Sequence, residues 1–388
     1  MKTAACLILV FSVLLSPPAI LRAAPAPAAD GLHVETHANG KPKLKESYKG
    51  GKLDGLRQTF DEKGALLSSE TYRAGLRHGP ALICRDGKPQ RHQTWVEDML
   101  AYPQSKSDIQ TSWNAIKSLK IDDQGLGSGQ VAGLRRLMTA RVLAGVPWQT
   151  LRLDAEWARK CKLAARSNEL LGKLDHFPTR PAGMSDADFQ DAYEACGHSN
   201  LHWNTGKCHP LDQCIDGWLR DDGDSNKERL GHRRWCLSQN LGATAFGVSG
   251  GYSAMWCFDK SGDLETYQAP DAISWPVHGY HAKEFASPGL LWHVSLNPEK
   301  FKQPETGKVK VELRPISGAF TGIDKAMKAA PLPLDWLHVD NSKIGLWKNA
   351  IVFHPKNFTV KGSYLVVVTG LTDAAGQPAS HRYLVEFF

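Results

Sequence analysis

Two hydrophobic rhythms divide the chain. From Ser105 to Leu171 apolar residues recur at helical spacing, at Ile109, Trp113, Ile116 and Leu119 and again at Leu134, Leu137, Val142 and Leu143, which predicts amphipathic helices. Gly125-Leu126-Gly127-Ser128-Gly129 interrupts the pattern. Ala155 to Leu171, rich in Ala, Leu, Lys and Arg, is the strongest helical segment, and Gly172 is a suitable terminator. Beyond Phe258 the rhythm shortens to alternating or wholly apolar runs: Trp292-His293-Val294-Ser295-Leu296, Val309 to Leu313, Ile351 to Phe353 and Tyr364 to Val368. Gly, Pro, Asn and Asp bound these runs, so the region predicts an all-β sandwich whose last strand is Tyr383 to Phe388.

Before the helical part, Asn39 to Trp95 repeats. Gly40, Gly64 and Gly87 each precede an aromatic residue (Tyr48, Tyr72, Trp95) by eight positions, and Tyr48 and Tyr72 stand 24 apart, as do Glu46 and Glu70. Each unit reads as a short strand with a glycine turn, so successive hairpins should stack along one direction. The pattern resembles the MORN-type repeats of bacterial exported proteins. Two and a half units make a short array, and it should lean on its neighbour.

The N-terminus sets an address. Lys2 precedes an apolar core, Leu7 to Leu15, followed by Pro17-Pro18 and small residues around Leu21-Arg22-Ala23-Ala24, the layout of a secretory signal peptide. The run is too short to span a bilayer, and no other apolar segment of membrane-spanning length occurs. The mature chain is therefore expected to be secreted or periplasmic. Cys161, Cys196, Cys208, Cys214, Cys236 and Cys257 form an even set suited to disulfides in an oxidising compartment, with Cys84 left over. Sequence does not give their connectivity. The formal charge of +7 is spread along 388 residues, too diffuse to argue for nucleic acid.

One segment carries a family likeness. Asp216-Gly217-Trp218-Leu219-Arg220-Asp221, then Gly231-His232-Arg233-Arg234-Trp235, with Leu137 to Arg141, the Ala155–Leu171 helix, His176 and Ser199-Asn200-Leu201 upstream in order, resemble the CAP superfamily of cysteine-rich secretory, antigen and pathogenesis-related proteins. The likeness covers roughly Val131 to Phe258. It implies a three-layer α-β-α sandwich with a cleft lined by two histidines and two acids that can hold a divalent metal. Position by position, His176 and His232 match the histidines and Asp221 one acid. The other acid is replaced, because Ser199-Asn200 stands where the family has Glu-Asn. His176, Asp221 and His232 could still supply three ligands to Zn²⁺. His232 is expected in the approach to a strand, Arg233 to Leu237, with Ser199 completing the ring.

Two rival chemistries use nearby residues. His198 and His202, at i and i+4 with Cys208 and His209 close by, would share a helix face; Asn200, Asn204 and Gly206 argue for a loop of exposed polar histidines instead. Ser199 with His176 or His232, oriented by Asp221, has the residue types for acyl transfer, but no Gly-x-Ser-x-Gly elbow accompanies it.

The sequence thus predicts an α+β chain: signal peptide at 1–24, Ala/Pro-rich leader at 25–38, hairpin repeats at 39–97, CAP-type domain at 105–262 and immunoglobulin-like β-sandwich at 263–388. The function expected from the resemblance is binding of a small lipid-like molecule, a peptide or a surface glycan in a cleft lined by His176, Ser199, Asp221 and His232, without turnover. A peptidase-like hydrolase using the His176/His232 cleft is the alternative.

Overall fold

The computed structural model describes residues 29–204, 210–223 and 226–388; the signal layout, Cys208 and His209 lie outside them. The repeats fold into one antiparallel meander of seven strands: β1 (Gly31–Thr36), β2 (Pro42–Lys49), β3 (Lys52–Phe60), β4 (Leu66–Arg73), β5 (Leu76–Arg85), β6 (Lys88–Val96) and β7 (Met99–Tyr102). Gly40, Gly64 and Gly87 all sit at positive φ, between 72° and 86°, so the repeat of glycines is a repeat of turns that need the left-handed region. Glu46 and Glu70 flank Arg57 at 2.8 and 3.4 Å across β2, β3 and β4. The leader expected to reach residue 38 is corrected, since Gly31–Thr36 pairs with β2, Val34 lying opposite Lys45. Ala81 and Cys84 are buried on β5, and packing onto the C-terminal region comes at the far end of the sheet. Val96, Met99 and Ala101 pack against Leu365, Val367 and Leu384 of the C-terminal region, and the Tyr102 hydroxyl donates to Glu386 at 2.6 Å. The array does lean on its neighbour.

The helical region follows with α1 (Lys106–Ser118), α2 (Ser128–Ala144), β8 (Arg152–Leu153), α3 (Ala155–Leu171), α4 (Asp186–His198), β9 (Ser199–Trp203), α5 (Leu211–Arg220), α6 (Gly231–Cys236), β10 (Ala243–Thr244), β11 (Phe246–Ser249) and β12 (Tyr252–Trp256). Helix α3 has the predicted bounds because its ends are fixed locally. The Asp154 side chain accepts from the amide of Trp157, and Gly172 takes the left-handed C-cap conformation at φ 64°. Strands β11, β12 and β9 form an antiparallel sheet in that order. Alternation sends Leu201, Ala254 and Trp256 toward α3 and α4, where they meet Cys161, Ala164 and Cys196, and sends Met255 to the other face with the α2 and α5 residues Leu137 and Trp218. At Gly247 on β11 an added Cβ would lie 2.1 Å from the Cys161 backbone, so this contact between α3 and the sheet requires glycine.

The C-terminal region builds two four-stranded sheets from β13 (Ala272–Trp275), β14 (Gly279–His281), β15 (Trp292–Leu296), β16 (Lys310–Ile316), β17 (Leu334–Asp340), β18 (Ala350–Pro355), β19 (Ser363–Thr372) and β20 (Pro378–Phe387), with the short helix α7 (Ile323–Met327) between β16 and β17. Their orders are β13-β15-β18-β17 and β14-β20-β19-β16. One apolar cluster runs from Ile109 through Trp218, Trp275 and Trp292 to Phe387, so the helical part and the C-terminal sheets share a core. Truncating any of these wholly buried tryptophans to alanine should cost roughly 3–5 kcal/mol. The chain is α+β, with mainly antiparallel sheets. No helix among the described residues is long and apolar enough to cross a membrane.

Candidate functional site around His232

Helix α5 ends at Asp221, whose left-handed backbone (φ 51°) turns the chain away from the helix. The chain re-enters helix at α6 after Leu230, also left-handed at φ 47°. The two turns bring the Asp221 carboxylate against the first turn of α6. Its Oδ2 accepts from the amide of Arg233 at 3.1 Å, and its Oδ1 accepts from His232 Nδ1 at 3.0 Å and from Asn226 Nδ2 at 2.5 Å. A carboxylate at a helix N-terminus satisfies an orphan amide and complements the helix dipole. The expected strand Arg233 to Leu237 is therefore corrected: the segment is helical from Gly231 to Cys236, and this cap, supplied from 12 residues upstream, has no local sequence signature.

The pair is asymmetric in a way that fixes its roles. The Asp221 side chain is 1% exposed and that of His232 27%, so the carboxylate orients and the imidazole faces outward. With Nδ1–H donated to Asp221, the Nε2 lone pair becomes the available acceptor or base. Asn200 fixes the site from below, its Nδ2 donating to the His232 carbonyl at 3.0 Å. Arg233 holds it from the side: the wholly buried guanidinium donates to the carbonyls of Leu219, Arg220 and Leu291. Burial pushes its pKa down to about 10, leaving it charged at neutral pH.

Of the four expected cleft residues, the structure joins Asp221 and His232. Ser199 is turned away. It is the neighbour of Asn200 on β9, so its side chain takes the opposite face, where its Oγ lies 3.6 Å from Cys161 Sγ on α3. His176 is exposed and bonds through Nδ1 to the carbonyl of Cys196 at 2.8 Å, capping the end of α4. The expected ligand set of His176, Asp221 and His232 is not assembled: among the described residues, no group of three or more His, Cys, Asp or Glu is placed to hold a metal ion. The loop expected for His198 and His202 is corrected too, because His198 ends α4 and His202 lies in β9. The His198 ring stacks on Trp256 at 5.0 Å, and His202 lies against Gly217, 3.2 Å from where a Cβ would be.

The cysteines also depart from expectation. Cys84, Cys161, Cys196, Cys236 and Cys257 are buried thiols. Cys236 accepts from Asn200 Nδ2 and Cys257 donates to Asn200 Oδ1, each at 3.5 Å, so the Asn200 amide links the two sulfurs. Burial pushes the Cys161, Cys196 and Cys236 thiols up to about 12, which keeps them protonated and unreactive at neutral pH.

Asn200 and Asn226 are the site residues that sequence reasoning passed over. The signal for Asn200 was its place beside Ser199 in the motif, where strand alternation allows only one of two neighbours to face the histidine. For Asn226 there was none.

No protein-family model matches the chain, and no curated protein matches it. Among solved structures it is similar to PcoC, a copper resistance protein from Escherichia coli, at 14% identity over 30% of this chain and 95% of that one, with a TM-score of 0.20. A likeness at that level carries no argument about this chain.

Proposed function

We propose that the chain is an exported CAP-type binding protein, with MORN-type hairpins before the central domain and an immunoglobulin-like sandwich after it, and that the His232 edge captures a small lipid-like molecule, a peptide or a surface glycan without turning it over. The layered packing of α3 and α4 on one face of β9, β11 and β12 and of the α2 and α5 residues on the other supports the CAP-type reading. The signal layout supports export; with five of the cysteines present as thiols, the disulfide argument for an oxidising compartment no longer adds to it.

The observation that carries binding over catalysis is the orientation of Ser199. Ser199 is 3% exposed and its hydroxyl lies on the far face of β9, so it is out of reach of the His232–Asp221 pair. The Cys236 thiol, which shares Asn200 with the His232 carbonyl, is wholly buried and protonated at neutral pH. Acyl transfer needs a nucleophile within hydrogen-bond reach of its base.

The test uses the full chain with three probes, a fluorescent fatty acid, a casein digest and a mixed glycan panel, alongside turnover of fluorescein-labelled casein. Saturable binding of one probe, weakened by His232→Ala with an unchanged circular dichroism spectrum, supports the reading. Casein turnover that His232→Ala abolishes overturns it in favour of the hydrolase.

A further inference from the structure

A second concavity lies elsewhere in the molecule. It is a cleft of about 630 Å³ between the β5–β6 hairpin, α1, the connection from α2 to β8, and the segment from Asp263 to Gln268. That volume is in the usual range for small-molecule sites, about 300–1,000 Å³, but most such sites are lined mainly by apolar groups. This one is lined by guanidiniums, amides and hydroxyls, with the rings of Trp148 and Tyr267 among them.

The polar groups divide into spent and idle ones. The Asp108 carboxylate accepts from the His92 amide and ring at 2.8 Å each and from the Ser105 amide at 3.1 Å. Burial pushes its pKa up, but the bonds from His92 and Ser105 outweigh that and hold it below the usual carboxylate range. Asp263 accepts from the amide of Glu265 at 2.8 Å. Arg85, Arg91, Gln93 and Gln268, by contrast, have no side-chain hydrogen bond or ion pair with any described residue.

We propose that this cleft binds a short acidic glycan: Arg85 and Arg91 take its carboxylate, the Gln93 and Gln268 amides take its hydroxyl groups, and Trp148 receives a sugar face. Unpartnered guanidiniums beside satisfied carboxylates select an anionic group. Terminal amides offer a donor and an acceptor side by side, which suits adjacent hydroxyls. An aromatic face that contacts the apolar side of a ring adds burial without charge.

Calorimetric titration of the full chain with tetragalacturonate, maltotetraose, adenosine monophosphate and inorganic phosphate tests the proposal. Tetragalacturonate should bind at least ten-fold more tightly than maltotetraose. Arg91→Ala should weaken the acidic ligand by about ten-fold or more, the usual loss for a charged hydrogen bond, and leave the neutral one little changed. Gln268→Ala, at an exposed position, should weaken both without disturbing the fold, and His232→Ala should weaken neither, which separates this site from the one proposed above. No binding of either oligosaccharide at millimolar concentration, equal affinity for both, displacement by phosphate or the nucleotide at equal concentration, or wild-type affinity in both Arg91→Ala and Gln268→Ala would each overturn it.

Discussion

Replacing His293 with phenylalanine should flatten the acid sensitivity of the protein. His293 lies on β15, is 1% exposed, and neither of its ring nitrogens has a hydrogen-bond partner. Burial, and then the charges of Arg233 and Arg234, hold it neutral well below the usual imidazole range. A folded pKa lowered below the unfolded value means that the unfolded chain binds the proton first, so stability is full above about pH 6.5 and drains as the pH falls below that value. At about pH 4.5 the unfolded imidazole is favoured by protonation on the order of a hundred-fold, or roughly 2–3 kcal/mol. His281, 0% exposed and pushed down to about 3 by burial, should lose a similar amount. Together the two account for about 5 kcal/mol, comparable with the whole stability of many domains. Urea unfolding followed by tryptophan fluorescence at about pH 7.5 and 4.5 should therefore show the His293→Phe variant losing roughly 2–3 kcal/mol less than wild type. At the higher pH it should be no less stable, because an unpartnered buried polar ring costs roughly 1–3 kcal/mol. An equal loss in variant and wild type would falsify the argument.

Three further outcomes follow from the same structure. Asp221→Asn should destabilise by roughly 2–3 kcal/mol, since a buried charge accepting from His232, Asn226 and Arg233 is lost; an unchanged thermal midpoint would remove Asp221 from the role given to it. Arg234→Met should cost about 3–5 kcal/mol by stranding the Asp340 carboxylate, its partner in a buried ion pair, and adding Asp340→Leu should recover much of that loss; chemical denaturation of the double variant decides it. Thiol titration of the denatured, unreduced protein should find at least five reactive groups, and the native protein almost none; fewer than five after denaturation would mean that disulfides form.

Regular periodicity was legible in the sequence wherever it was reinforced locally. Helix α3 has its predicted bounds, Ala155 to Leu171, because an Asp cap and a Gly stop act within the segment itself. The strand Trp292–Leu296 was readable from Trp292, Val294 and Leu296 alternating with His293 and Ser295 between breakers. What misled was structure imposed from a distance. Gly31–Thr36 is exposed along its length and has weak strand character, yet it pairs along β2. Gly231–Cys236 looks like the start of a strand and becomes a helix because a carboxylate from the end of α5 caps it. Cysteine counting failed for a related reason: burial makes a thiol as useful to a core as a disulfide, and the sequence does not distinguish the two.

The Gly231 to Trp235 motif shows how function and architecture were entangled in the sequence. Its histidine was read as the functional residue and its arginines were left without roles, although the arginines are the more deeply buried. Arg233 closes the carbonyl end of α5 and reaches Leu291, just before β15. Arg234 pairs with Asp340 at the end of β17 and donates to the carbonyl of Ile344. A guanidinium can satisfy several carbonyls from one rigid plane, which lysine cannot. Three consecutive residues therefore present a base to the surface, hold the helix that orients it and fasten that helix to the C-terminal sheets. The His232 site is thus built on the junction between the helical region and the sandwich, and a change in either Arg233 or Arg234 should alter His232 through its support.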